Sequence, residues 1–267
     1  MSLSGLSAIN IELTSACNKS VHCTFCGHQD PAIHPKRVDG EISQALLAQV
    51  SGEVPSGVLV QFHRDGDPLA YSGSLATVGT LFNHTIRSLV THGETLAERA
   101  DEIIDHFDVV TVSIFRGDPG RDHQLASLAA FMQAKGDRQP RVLLKIVGDM
   151  HDDDLRPYLA LGIPLLRRLL HLPQSNARYA RGMPAMPEHG LCLDLLHHPS
   201  VAWDGGVYLC NRLDPDDRGL LGSLTTQSLA SIWNGPIRRA IVQAHLHGQR
   251  TSVHACATCQ YYGIPTH

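Results

Sequence analysis

Seven cysteines in two groups carry most of the chemistry legible in this sequence. Cys17, Cys23 and Cys26 lie within the stretch CNKSVHCTFCGH (17–28), directly after the apolar run AINIEL. Three thiolates are an incomplete ligand set. Structural zinc would recruit a fourth ligand, for which His22 or His28 could serve, whereas a [4Fe–4S] cluster on three cysteines would leave one iron open to an outside ligand. Unpaired core cysteines are a third reading. Cys192, Cys210, Cys256 and Cys259 form the second group, with a CxxC pair in HACATC and another thiol closing GGVYLC. Four thiolates can ligate a metal completely, as Zn(Cys)₄ or as a cluster. An odd total split between separated groups fits metal ligation in a reducing compartment better than a secreted disulfide framework.

These residues need elements to position them. Short apolar runs at 7–13, 58–63, 86–91, 109–114, 142–147 and 165–172 read as strands. Leu96, Ala100, Ile103, Ile104 and Phe107 share one face of a helix between the third and fourth. Leu125, Leu128, Ala129 and Met132 do so between the fourth and fifth. Such alternation predicts a parallel sheet or an incomplete (β/α) barrel, with chemistry at the C-terminal strand ends. A Pro-, Gly- and Arg-containing stretch (173–190) reads as a linker. Beyond it SVAWDGGVYLC reads as two short strands around an Asp-Gly turn, and 228–247 as helix broken at Asn234-Gly235-Pro236. The formal charge of −4 and pI of about 6.5 offer no general attraction for nucleic acid or an anionic membrane. No run approaches ~20 apolar residues and no signal peptide is evident, so a cytoplasmic protein is expected.

The segment ELTSACNKSVHCTFC resembles the signature of radical S-adenosylmethionine (radical SAM) enzymes: three cysteines after strand one, an Asn after the first and an aromatic, Phe25, before the last. The commonest spacing puts three residues between the first two cysteines, where this chain has five. The resemblance implies that the open iron chelates S-adenosylmethionine and that Phe25 lies beside the adenine. RDGDPLAY, after strand two, resembles the family's Gly-Gly-Glu-Pro segment, which implies that Gly66, Asp67 and Pro68 meet the cofactor's amino group; a plain Gly-Asp-Pro turn is the bland alternative. THGE (91–94) resembles the family's Thr-Asn-Gly turn and also reads as a loop with a helix N-cap. Ser113, at the end of strand four, stands where the family often contacts ribose or carboxylate, and Arg116 could pair with that carboxylate.

The C-terminal pieces CLDLLHHPSVAWDGGVYLC, LGSLTTQSLASIWNG and CATC resemble the Twitch domain, the shortened form of the SPASM extension that carries an auxiliary [4Fe–4S] cluster. The arrangement is similar to that of aminocyclitol dehydrogenases within the family. The implied architecture is α/β: an incomplete (β/α)₆ TIM-type barrel (1–172), a linker (173–190) and a small Twitch domain of β-hairpin plus helix (191–267). Seven cysteines then divide as three plus four, with no thiol left to return a hydrogen atom. The expected chemistry is hydrogen abstraction by a 5′-deoxyadenosyl radical and a two-electron oxidation, with the auxiliary cluster as electron acceptor and an external donor of flavodoxin or ferredoxin type. Strand one begins almost at Met1, without a leader-peptide recognition domain, which favours a small polar metabolite such as a sugar, aminocyclitol or nucleoside. Lys145, His171 and the acidic run DMHDDD (149–154) are candidate substrate contacts, with surface or helix-capping roles as the alternative. Arg178 and Arg181 could meet an anionic group or simply be solvated. A peptide-modifying maturase is the other enzymatic reading, and a zinc-binding interaction module the reading outside enzymes.

Overall fold

The computed structural model describes residues 3–19, 39–148, 150–168, 191–211, 214, 216–257 and 259. Six parallel strands form its centre: β1 (Ala8–Ile11), β2 (Leu59–Phe62), β3 (Ile86–Thr91), β4 (Val109–Ile114), β5 (Arg141–Val147) and β6 (Leu165–Arg168), paired each to the next in chain order. Between them run α1 (Gln44–Glu53), α2 (Leu75–Leu81), α3 (Ala100–Ile103), α4 (Arg121–Lys135) and α5 (Asp152–Leu159). This is the α/β, incomplete (β/α)₆ barrel, an unclosed sheet with helical crossovers.

Strand residues alternate between two environments. Ile9, Ile11, Val60, Phe62, Val110, Val112, Leu144 and Ile146 are almost wholly buried. Phe62 meets Phe82 and Phe107 edge to face at centroid distances of 5.4 and 5.7 Å, on the helix-covered side. The intervening Gln61, His63, Ser113, Lys145 and Val147 are only partly buried. They line the opposite, inner face.

The expected helix at 96–107 is shorter than its apolar pattern. Leu96, Ala100, Ile103, Ile104 and Phe107 are all buried, but only Ala100–Ile103 is helical. The preceding residues form turns, and the Arg99 guanidinium donates to the carbonyls of Leu69, Tyr71 and Gly73. Asp105, at φ 67°, turns the chain out of the helix. No helix is capped within 91–94. The acidic run does start one: Asp152, Asp153 and Asp154 occupy the first turn of α5, where their charges complement the helix dipole.

The C-terminal segment extends the same sheet. After α6 (Leu193–His197), β7 (Ser200–Val201) pairs parallel with β1, and β8 (Gly206–Tyr208) and β9 (Leu220–Ser223) continue antiparallel, giving one nine-stranded sheet. Helices α7 (Leu229–Trp233) and α8 (Pro236–Leu246) are separated by the expected Asn234-Gly235 break, and α9 (His254–Ala257) follows. Among the described residues no helix is long and apolar enough to cross a membrane.

Candidate functional site

The first cysteine leaves the C-terminal end of β1 through a tied neck. Ile42 N–H donates to the Leu13 carbonyl (2.9 Å), Ser15 N–H to the Gly40 carbonyl (3.0 Å), and Gly40 N–H to Ser15 Oγ (2.9 Å). The chain thus departs and returns beside itself, with Cys17 just past the neck. The segment after β2 packs directly on this neck. Asp67 N–H donates to the Ala16 carbonyl at 2.8 Å, and a Cβ at Gly66 would stand 2.2 Å from the Thr14 carbonyl oxygen and 2.6 Å from that of Ala16. Only glycine permits that approach. The Asp67 carboxylate is spent internally: it accepts from Thr91 Oγ1 (2.9 Å), His92 N–H (2.7 Å) and Leu69 N–H (2.9 Å).

Residues 18 and 19 bind the loops after β3 and β4. Asn18 donates to Thr95 Oγ1 (3.0 Å), and its Oδ1 lies 2.9 Å from His92 Nε2. Glu94 N–H donates to His92 Nδ1 (3.1 Å), so His92 Nε2 carries the proton that Asn18 accepts. Lys19 is almost fully buried between Glu94, which it contacts closely, and Asp118 at 2.9 Å, with the Phe115 ring 5.5 Å away. Burial works to lower the Lys19 pKa, but hydrogen bonds to Glu94 and Asp118 outweigh it and the net direction is up. Gln124 of α4 donates to the carbonyls of His92 and Ser113, joining the ends of β3 and β4 from behind.

The inner face is polar. Ser113 and Lys145 are register partners on β4 and β5. His63, just past β2, is pushed down to about 3 by burial, then by the charges of Lys145 and His198, and is therefore a neutral imidazole. Asn10 donates to the His63 carbonyl at 2.8 Å, while its buried Oδ1 accepts no hydrogen bond among the described residues. Glu12, at the end of β1, accepts from the Asp65 and Trp203 N–H groups (3.2 and 3.3 Å) and lies 3.4 Å from Arg64, whose guanidinium stacks 4.2 Å over Tyr208. A cleft of about 680 Å³ opens beside Cys17, with Leu69, Tyr71 and Arg99 on its wall.

The other four cysteines lie in the C-terminal segment. Cys192 caps α6, Cys210 follows β8, Cys256 lies in α9 and Cys259 turns back on it through a 3.2 Å backbone bond. All are thiols without a disulfide. Burial pushes Cys256 up to about 12, with further upward pressure from Cys259 and Cys192. Arg250 donates to the Cys256 carbonyl at 2.7 Å and fixes this corner. A buried thiol flanked by thiols ionises readily only against bound cationic metal, so the donor set fits a metal group. Among the described residues no three Cys, His, Asp or Glu side chains stand close enough to share a single metal ion. Tetrahedral zinc would need sulfurs about 3.8 Å apart, from Zn–S bonds of about 2.3 Å.

Residues 192–260 match the family model for SPASM, an iron–sulfur cluster-binding domain. BtrN in complex with AdoMet and 2-DOIA superposes with a TM-score of 0.62 at 16% identity, covering 95% of this chain and 92% of BtrN. SuiB of Streptococcus suis, bound to S-adenosylmethionine, gives 0.55 at 12% identity over 95% of this chain and 70% of SuiB. SuiB bound to the precursor peptide SuiA gives 0.52 at 12% identity, over 88% and 66%. Both are radical SAM enzymes. The chain has the radical SAM fold with a SPASM-type C-terminal domain. A comparison with curated protein sequences finds no match.

On this radical SAM fold, Cys17 stands at the C-terminal end of β1, and Gly66, Asp67 and Pro68 stand beside it after β2. Ser113 lies on the inner face with its carbonyl held by Gln124. Arg116 is largely exposed and lies 3.7 Å from Asp154. Lys145 is partly buried on β5, in register with Ser113. Cys23, Phe25, Cys26, Asp149, His171, Arg178 and Arg181, with His22 and His28, fall outside the described residues. Sequence reasoning missed Glu12, His63, Lys19, Asp118 and Gln124. Lys19 and Glu94 sit inside quoted motifs, so a charged residue in an otherwise turn-forming segment was the available signal.

Proposed function

We propose that the protein is a radical SAM enzyme in which Cys17, Cys23 and Cys26 hold a [4Fe–4S] cluster that binds S-adenosylmethionine, and Cys192, Cys210, Cys256 and Cys259 hold an auxiliary one. The observation that carries this reading is the seating of Cys17. It sits at the end of β1, against the Gly66–Asp67 backbone and beside the 91–95 loop, where three strand ends can serve one bound group. When bound, these groups supply a 5′-deoxyadenosyl radical able to abstract hydrogen from substrate, and a place for an electron to go. The protein's own residues do the rest. With the Asp67 side chain tied to Thr91 and His92, recognition of the cofactor's amino group falls to backbone carbonyls of the 65–68 segment. Ser113 is a candidate contact for its ribose or carboxylate, and Arg116 for the carboxylate on leaving Asp154.

The substrate is a small polar metabolite of sugar, aminocyclitol or nucleoside type, and the reaction a two-electron oxidation such as alcohol to ketone. Gln61, His63, Ser113 and Lys145 make the inner face a surface of hydrogen-bonding groups, which suits a polyhydroxylated molecule better than an apolar one. The likeness to BtrN supports the same reading. The likeness to SuiB favours a second, modification of a peptide. The match of residues 192–260 to an iron–sulfur cluster-binding domain favours a cluster over a zinc module. An external donor of flavodoxin or ferredoxin type and a reducing, cytoplasmic setting complete the proposal. Its test is anaerobic reconstitution: about eight iron and eight sulfide per chain, as two [4Fe–4S] units, falling to about half in the Cys17/Cys23/Cys26→Ala variant, which should make no 5′-deoxyadenosine. Zinc in native protein, or full iron in that variant, overturns it.

A further inference from the structure

Resting on the radical SAM reading, we propose that Lys19, Glu94 and Asp118 form a charge lock that positions Cys17 and sets the reduction potential of the three-cysteine cluster. Lys19 follows Cys17 by two residues, about 7 Å of extended chain. Its ammonium is 1% exposed, as is the Glu94 carboxylate, and that of Asp118 is fully buried. Asp118 Oδ1 and Oδ2 lie 2.9 and 3.0 Å from the nitrogen. The three side chains come from the loops after β1, β3 and β4, so the lock joins the start of the cysteine loop to two strand ends at once. Asn18 repeats the linkage through Thr95 and His92. The space is built for it: a Cβ at Gly120 would stand 2.1 Å from Glu94 Oε1, and Gly120 N–H donates to Asp118 Oδ1 at 3.0 Å.

Burying one cation with two anions is a costly way to fill a protein interior, since apolar residues of similar volume often stabilise as well or better. What apolar residues cannot supply is charge. Lys19, Glu94 and Asp118 sum to a formal charge of −1, screened little by solvent because they are buried. Reduction adds a negative charge to a cluster, so a fixed negative neighbour opposes it and holds the potential down. Lys19, Glu94 and Asp118 are positioning residues in this scheme and touch no substrate.

The lock is tested on reconstituted full-length protein by potentiometric titration followed by electron paramagnetic resonance. Lys19→Met takes the net charge to −2 and Glu94→Gln takes it to zero. The potential of the three-cysteine cluster should therefore move negative in the first and positive in the second, while the four-cysteine cluster stays unchanged. Hydrogen exchange of residues 14–19 should accelerate by at least about tenfold in Lys19→Met, with partial recovery in Lys19→Arg. Potentials that do not move, or that move in the same direction in both variants, overturn the proposal. If circular dichroism shows Lys19→Met unfolded, the sign of the Glu94→Gln shift decides alone, because that variant keeps the Lys19–Asp118 pair. Wild-type protein with iron only at the four-cysteine site would instead fail the radical SAM reading. The positioning half is then judged by hydrogen exchange, and unchanged exchange overturns it.

Discussion

Asp67 accepts from one hydroxyl and two backbone N–H groups, which leaves its carboxylate as a brace between the loops after β2 and β3 rather than a hand held out to a ligand. Asp67→Asn puts an amide NH₂ against donors and strands at least one of them in a buried site. We expect a loss of about 1–3 kcal/mol in urea unfolding, with cluster content preserved in the fraction that folds. Cys256 offers a second test at this scale. Burial holds it protonated, so iodoacetamide at about pH 8 should label it more slowly than the more exposed Cys192, Cys210 and Cys259 in metal-free protein; equal rates would show that the corner is open. The sequence marked all of these residues by motif, because cysteine spacing and a Gly-Asp-Pro segment are local patterns. It could not show what they touch. The partners of Lys19 lie 75 and 99 residues away, and no periodicity encodes such a meeting.

At the level of elements, the neck around Ser15 and Gly40 depends on one close backbone approach. Gly66→Ala would push a methyl group into the Thr14 and Ala16 carbonyls, and neither can yield without moving Cys17. The expected outcome is a loss of about 1–3 kcal/mol and faster loss of iron to a chelator from the three-cysteine site than from the four-cysteine site. Uniform loss from both would mean that the neck does not position Cys17. Strands β3 and β4 were legible to the residue, because β-branched runs bounded by turns state both type and length. The helix between them was legible only as burial. Its apolar spacing correctly marked five buried side chains, but spacing reports which face is covered and not which backbone bonds form. Only Ala100–Ile103 closes into helix.

For the whole molecule, acid should be the condition that loosens the barrel first. Hydrogen bonds from Arg87 lower the Asp108 pKa, and hydrogen bonds from Arg99 lower that of Glu102. Both native values lie below the unfolded ones of about 4, so the stabilisation is complete above that range and is lost as pH falls through the native values. Asp108→Asn should lower stability near neutrality and flatten the acid limb of a urea-midpoint profile. A limb of unchanged steepness would mean that other carboxylates govern it. The sequence anticipated the six parallel strands and the hairpin separately. Their fusion into one sheet was not readable, since β7 is two residues long and pairs with a strand at the opposite end of the chain.

That pairing has a consequence for biosynthesis. Glu12 and Trp203 meet across 191 residues, and β1 lies between β2 on one side and β7 on the other. A chain emerging from a ribosome at roughly 5–20 residues per second therefore carries β1 with one bare edge for about ten to forty seconds after the strand appears. Throughout that interval the nascent barrel offers an unpaired strand to any neighbour. The protein's yield should therefore respond to translation speed and chaperone supply.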